Sequence, residues 1–177
     1  MKLKRVAIKI ICIVLILIIF LAFSFIVYQT TLSGRYYNLV KSECDKYNLN
    51  SITVISLIKT ESNFDKNAKS NKNAIGLMQI KQETAFYVSK MYDIKYDDLY
   101  DYTSNIALGV AYLDYLTKKF VNEDLVLCAY NAGEGTVLRW KEKGYIVNDK
   151  INYIPYKETR NYLTKIKKLK NFYSIFY

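Results

Sequence analysis

Residues 10–28 carry no charge and are dense in Ile, Leu, Val and Phe, whereas residues 1–9 are basic. As a helix this apolar run would reach about 28 Å, close to the thickness of a bilayer's hydrocarbon core. A cleavable signal has a shorter apolar stretch and a small-x-small site. Ala22-Phe23-Ser24 fits that poorly, and no lipobox cysteine follows the run. The expectation is an uncleaved anchor over 10–28, with 1–9 as a cytoplasmic tip, 29–34 as a short linker, and 35–177 as a domain on the far side of the membrane.

Beyond residue 34 the apolar positions recur at helical spacing. Tyr36, Leu39, Val40 and Cys44 predict a helix from Arg35 to Tyr47, broken by Asn48-Leu49-Asn50. Asn50 or Ser51 then caps a helix to Glu61 that is apolar on most sides, as a core helix is. Ser62 to Ile80 reads as loop, Gln82 to Met91 as helix, and Tyr92 to Tyr102 as an acidic, Tyr-rich connection. Thr103 or Ser104 is the expected cap of a long helix through Phe120, with Ile106, Val110, Leu113 and Leu116 on one face. A helix from Asp124 is expected to stop at Gly133. Thr136 to Lys143 makes a short amphipathic helix with Trp140, and the last helix begins after Pro155 and runs from Lys157 to about Phe172. With one proline, six glycines and little strand-like alternation, the domain reads as all-α.

Charge and composition narrow the chemistry. The net charge is +10, and Lys2, Lys4, Arg5 and Lys9 supply four of it, leaving six on the remainder. A basic body suits an anionic polymer or surface, and on charge alone nucleic acid would qualify. The chain has no His, which removes Ser-His and Cys-His pairs and nearly all zinc sites. Neither a metal nor a cofactor is expected. Of three cysteines, Cys12 lies in the apolar run. Cys44 and Cys128 read more readily as two buried thiols than as a bridge.

One stretch concentrates candidate chemistry. Glu61 closes the apolar core helix, and fifteen residues later comes Gly76-Leu77-Met78-Gln79-Ile80. A carboxyl at a helix C-terminus among apolar neighbours has two causes for a raised pKa: lost solvation and the negative end of its own helix. An acid that stays protonated near neutral pH is what glycoside cleavage needs to protonate its leaving oxygen. Ser70, Gln79 and Tyr130 could hydrogen-bond sugar hydroxyls and N-acetyl groups, over an apolar floor of Leu77 and Met78. Each also has an ordinary reading. Ser70 could close an ST-turn, Met78 could fill the core, Gly76 could serve a positive φ or a close approach, and Asn131 with Gly133 could simply stop a helix.

Together these residues resemble the signature of the soluble lytic transglycosylase (SLT) family of peptidoglycan lyases. Glu61-Ser62, Ser70, Gly76 to Ile80, and Thr84-Ala85 follow its first block. Asn105, Gly109, Tyr112 and Leu113 resemble its long middle helix. Ala129 to Gly133 with Gly135 match its AYNAG loop, and Ile154-Pro155-Tyr156 with Glu158-Thr159-Arg160 and Tyr162 match its IPxxETRxY element. The resemblance implies a lysozyme-like α-helical fold, Glu61 as catalytic acid, and Tyr130 as an active-site tyrosine that positions or stabilises the intermediate. It also implies Ser70, Gly76, Met78, Gln79, Asn131 and Glu158 at the substrate site.

The implied reaction cleaves the bond between N-acetylmuramic acid and N-acetylglucosamine and closes a 1,6-anhydro ring without water. The expected partners are glycan strands and, through the N-terminal helix, the membrane; nucleic acid is not among them. A muramidase using water at the same bond, or an inactive peptidoglycan-binding module, are the alternatives. Three positions depart from the family pattern: Lys81-Gln82 stands for Met-Pro, Asn73 for Gly, and Glu134 for Pro. Lys81 and Glu134 would add charges beside the groove.

Overall fold

The computed structural model describes residues 2–177, with side chains from residue 9 onward. Its first helix, α1 (Lys2–Asp45), belongs to two compact units divided after Arg35. In the first unit the Ile10 to Tyr28 side chains are exposed, and the helix is long and apolar enough to cross a membrane.

The expected linker at 29–34 is instead helical. Its polar residues do not break the helix because their hydroxyls turn back onto it. Thr30 Oγ1 donates to the Ile26 carbonyl at 3.0 Å, and Thr31 Oγ1 donates to that of Val27 at 2.8 Å. Gly34 costs the helix only about 1 kcal/mol relative to alanine, too little to interrupt it.

The second unit, residues 36–177, is the predicted helical domain. Helix α2 (Ser51–Glu61) is its axis, with Val54, Ile55, Leu57 and Ile58 fully buried. Asn50 caps it, its side-chain oxygen accepting from the Ile52 and Thr53 amides at 2.9 and 3.1 Å. A long loop leads to α3 (Gln82–Tyr92), which packs on α4 (Tyr102–Lys119). Asp101, rather than Thr103 or Ser104, caps α4, accepting from the Ser104 amide and hydroxyl.

Helix α5 (Glu123–Ala132) begins one residue earlier than predicted, capped by Asn122, and ends at Gly133 with φ 89°. It packs against α4, α6 (Glu134–Glu142) and α7 (Lys157–Tyr173). Helix α7 is strongly amphipathic and lays Thr159, Tyr162, Leu163 and Ile166 inward, with α2 as its main neighbour. Cys44 and Cys128 are separate buried thiols, each pushed up to about 12 by burial.

One element has no counterpart in the sequence reading. β1 (Ile146–Val147) and β2 (Lys150–Ile151) form a two-stranded hairpin. Asn148 and Asp149 make its turn at φ 49° and 57°. These two residue types tolerate positive φ, and two successive positive-φ residues are what a tight hairpin demands.

Candidate active site

The site is assembled where α2 ends. Ser62 stops the helix, and its Oγ donates across to the Leu77 carbonyl at 2.8 Å, tying the loop to the helix just past Glu61. The chain then turns sharply, with Asn63 and Phe64 both at positive φ.

The Gly76–Ile80 turn is held from behind by Asn105 on α4. Its Oδ1 accepts the Met78 amide at 2.8 Å, and its Nδ2 donates to the Ile75 and Leu99 carbonyls, each at 2.9 Å. Gly76 has φ 77°, and a Cβ there would meet the Leu99 carbonyl at 2.8 Å and the Asn105 side chain still closer. Both of its expected reasons, positive φ and close approach, therefore hold. Gly109 lets α4 pass the buried Met78 side chain, where a Cβ would meet Met78 Cβ at 2.8 Å.

A cleft of about 560 Å³ opens in front of this turn, a size suited to a small or extended ligand. Glu61, Ser70, Gln79, Tyr130, Asn131 and Glu158 all line it. Gly76 and Met78 do not. They are buried behind the cleft floor, so their part is structural rather than direct contact.

Several lining groups already have work inside the protein. Ser70 Oγ accepts from the Lys72 and Ala74 amides at 3.3 and 3.0 Å, an ST-turn that still leaves its O–H as a donor. Gln79, at φ 50°, donates from Nε2 to the Ala68 and Gly76 carbonyls at 3.2 and 2.9 Å. Its nitrogen is thus committed to holding the loop. Tyr130 donates its phenolic O–H to the Met78 carbonyl at 2.7 Å, with its ring tilted 5.4 Å from that of Tyr112. Asn131 accepts from the Thr159 hydroxyl at 2.8 Å, joining α5 to α7.

Glu61 is mostly enclosed and opens on the cleft. Burial pushes its carboxyl up from 4.5 to about 7. The Tyr162 O–H, which donates to Oε1 at 2.6 Å, and the nearby Lys165 charge hold the rise back, while the Glu158 carboxylate adds to it. The Tyr162 bond occupies one carboxyl oxygen, and Oε2 takes no side-chain hydrogen bond among the described residues.

Tyr162 was not among the predicted site residues. The only signal for it was its place at the end of the IPxxETRxY element, since 101 residues separate it from Glu61. Lys81 lines the cleft, as expected from its departure from the family pattern, and Tyr112 and Lys72 line it unannounced as ligand contacts.

A helical domain whose core helix delivers one half-neutral carboxyl to a polar cleft defines the lysozyme-like class. Residues 38–153 match the transglycosylase SLT domain family, and the chain belongs to that family. Its relatives include the membrane-bound lytic murein transglycosylase C of Histophilus somni, 31% identical over 174 residues that cover 80% of this chain and 46% of the relative. Another is the membrane-bound lytic murein transglycosylase E of Buchnera aphidicola, 30% identical, covering 74% of this chain and 64% of the relative. Among solved structures, the 70 kDa soluble lytic transglycosylase SLT70 of Escherichia coli superposes with a TM-score of 0.72 at 30% identity, over 80% of this chain and 24% of that one. An inactive mutant of the Pseudomonas aeruginosa lytic transglycosylase Slt superposes with a TM-score of 0.71 over 77% and 23%. The chain thus spans about half, or less, of the length of most of these proteins.

Proposed function

We propose that the chain is a peptidoglycan lytic transglycosylase acting between N-acetylmuramic acid and N-acetylglucosamine. The observation that carries this reading is the carboxyl of Glu61, held near neutral by burial, steadied by Tyr162, and open to a cleft sized for sugars. One carboxyl then acts twice. Glu61 gives its proton to the glycosidic oxygen as the bond from muramoyl C1 breaks, and positive charge develops at C1. The resulting carboxylate takes the proton of the muramoyl C6 hydroxyl. The C6 oxygen attacks C1 and closes the 1,6-anhydro ring, returning Glu61 to its acid form.

Glu158 stands at the mouth of the cleft and raises the Glu61 pKa through its charge, which favours the acid form at the start. Tyr130, pinned by Met78, offers its oxygen and ring to the sugar, and Ser70 offers a hydroxyl. The test is the mass of the released ends. Digested glycan strands should yield muramoyl ends one water lighter than a hydrolase product and inert to borohydride. Reducible muramoyl ends would make the enzyme a muramidase.

The same proposal extends to location. The apolar helix is a single-pass anchor, with Lys2, Lys4, Arg5 and Lys9 in the cytoplasm and the cleft on the wall side. Two relatives carrying "membrane-bound" in their names support it. Carbonate-washed membranes should retain the full-length chain, and protease added to spheroplasts should digest the domain. A chain shortened by its first thirty residues and free in the medium would refute the anchor.

A further inference from the structure

The two charges that depart from the family pattern have different fates. Glu134 is neutralised locally: Lys119 Nζ and the Tyr115 hydroxyl both donate to its carboxylate, and it does not line the cleft. Lys81 does line the cleft, and Lys72 lines it beside Asn71 and Ser70 on the same loop wall. Both lysines are exposed, and among the described residues neither side chain has an ion-pair or hydrogen-bond partner. Being unpaired is common among the exposed lysines of this domain; what sets Lys72 and Lys81 apart is that they are the two lysines lining the cleft.

Lys81 is also the N-cap of α3 and makes no side-chain cap bond, so the positive end of an eleven-residue helix adds to the same wall. Glu83 in the first turn is the nearest acid on that helix, and it does not line the cleft. The cleft's own acids, Glu61 and Glu158, come from α2 and α7 rather than from the loop and helix that carry the two lysines. The cleft therefore carries two exposed, unpaired lysines on the 70–81 stretch, in a site whose other contacts suit neutral sugar oxygens.

We propose that Lys72 and Lys81 form an anion subsite in the cleft that selects glycan strands bearing a free carboxylate on the muramoyl residue. This rests on the lytic transglycosylase reading and deepens it. The carboxylate has two sources: the lactyl group of a strand stripped of peptide, or the acidic residues of an attached peptide stem. Both are carried by the muramoyl residue, so either would bring one negative charge into the cleft with the sugar. The lysines act on affinity, since they are exposed side chains and touch none of the groups assigned to proton transfer.

The test measures binding of full-length protein in uncharged detergent, in the Glu61→Gln background so that strands stay intact. Four glycan ligands are compared: strands with intact stems, the same with stem carboxylates amidated, peptide-stripped strands, and stripped strands with the lactyl group amidated. Each carboxylate form is expected to bind about five- to tenfold more tightly than its amide if it reaches the subsite, a modest gain because both ion pairs would be solvent-exposed. A preference within the stripped pair assigns the lactyl source, and a preference confined to the intact pair assigns the stem.

In Lys72→Gln/Lys81→Gln the ratio should fall to about one, and Lys81→Arg should restore much of it. Raising the salt concentration should flatten it in the parent. Equal binding within both pairs, or a preference that survives the double substitution, overturns the subsite. Because the readout is binding, failure of the catalytic reading would show separately, in the released ends.

Discussion

Replacing Glu61 with glutamine is expected to lower glycan cleavage by at least about a thousandfold while leaving the domain folded. General acid–base transfer contributes roughly a hundred- to ten-thousandfold, and here one group performs both transfers. The amide is nearly the same size, its oxygen can still accept the Tyr162 O–H, and it has no proton to give. The parent enzyme carries the matching pH signature. Its acid form is fully populated below the folded-state pKa of about 7, so kcat/KM should decline as pH rises through that value. Tyr162→Phe removes a bond that favours the carboxylate, so this alkaline limb should move to higher pH.

Stability runs the opposite way. Glu61 ionises at about 7 when folded and near 4.5 when unfolded, so the unfolded chain releases its proton first. The parent therefore loses stability as pH climbs from 4.5 to 7, by about 3 kcal/mol in full above that window. Glu61→Gln should unfold at higher temperature than the parent at pH 8, and the gap should close by pH 4. A variant that cleaves peptidoglycan at an appreciable rate would end the assignment. A variant with no gain in stability at pH 8 would show that Glu61 is better solvated than the structure implies.

The helices were legible in the sequence because their signals are local. Asn50 and Gly133 mark ends, and the 3.6-residue apolar period marks faces. The linker was misread because Thr30 and Thr31 look like breakers, but their hydroxyls find carbonyls in the preceding turn. The hairpin was missed because two-residue strands carry no periodicity, and only Asn148-Asp149 gave notice. At the site, motif spacing placed Glu61, Ser70, Gln79, Tyr130, Asn131 and Glu158 at one cleft. It could not separate lining from support, since Met78 and Gln79 are neighbours in sequence and face opposite ways across the floor. Tyr162 escaped because its partner lies on another helix, and pairings at that distance leave no trace in spacing.

Asn105 gives the second large effect, and it falls on folding rather than chemistry. Its side chain has no exposure and makes three hydrogen bonds to main-chain groups of Ile75, Met78 and Leu99. Asn105→Ala would leave the Met78 amide and the Leu99 carbonyl without these partners, while the Ile75 carbonyl keeps the Ile80 amide at 3.0 Å, and would open a void beside Gly76. At about 1–3 kcal/mol for each of the two buried groups left unmade, partly relieved by entering water, the expected loss is about 2–5 kcal/mol. For a domain of this size that lowers Tm by roughly 6–20 °C.

Asn105→Leu separates volume from polarity. It fills the void yet satisfies neither the Met78 amide nor the Leu99 carbonyl, so it should be no better than alanine. Asn105→Asp keeps the acceptor for the Met78 amide but loses both donors and buries a charge, so it too should fall well below the parent. Since Tyr130 is anchored on the Met78 carbonyl, even the folded fraction of Asn105→Ala at low temperature should cleave strands more slowly. A loss under about 1 kcal/mol would mean that the Gly76–Ile80 turn holds its shape without α4, and that the family's Asn is there for some other purpose.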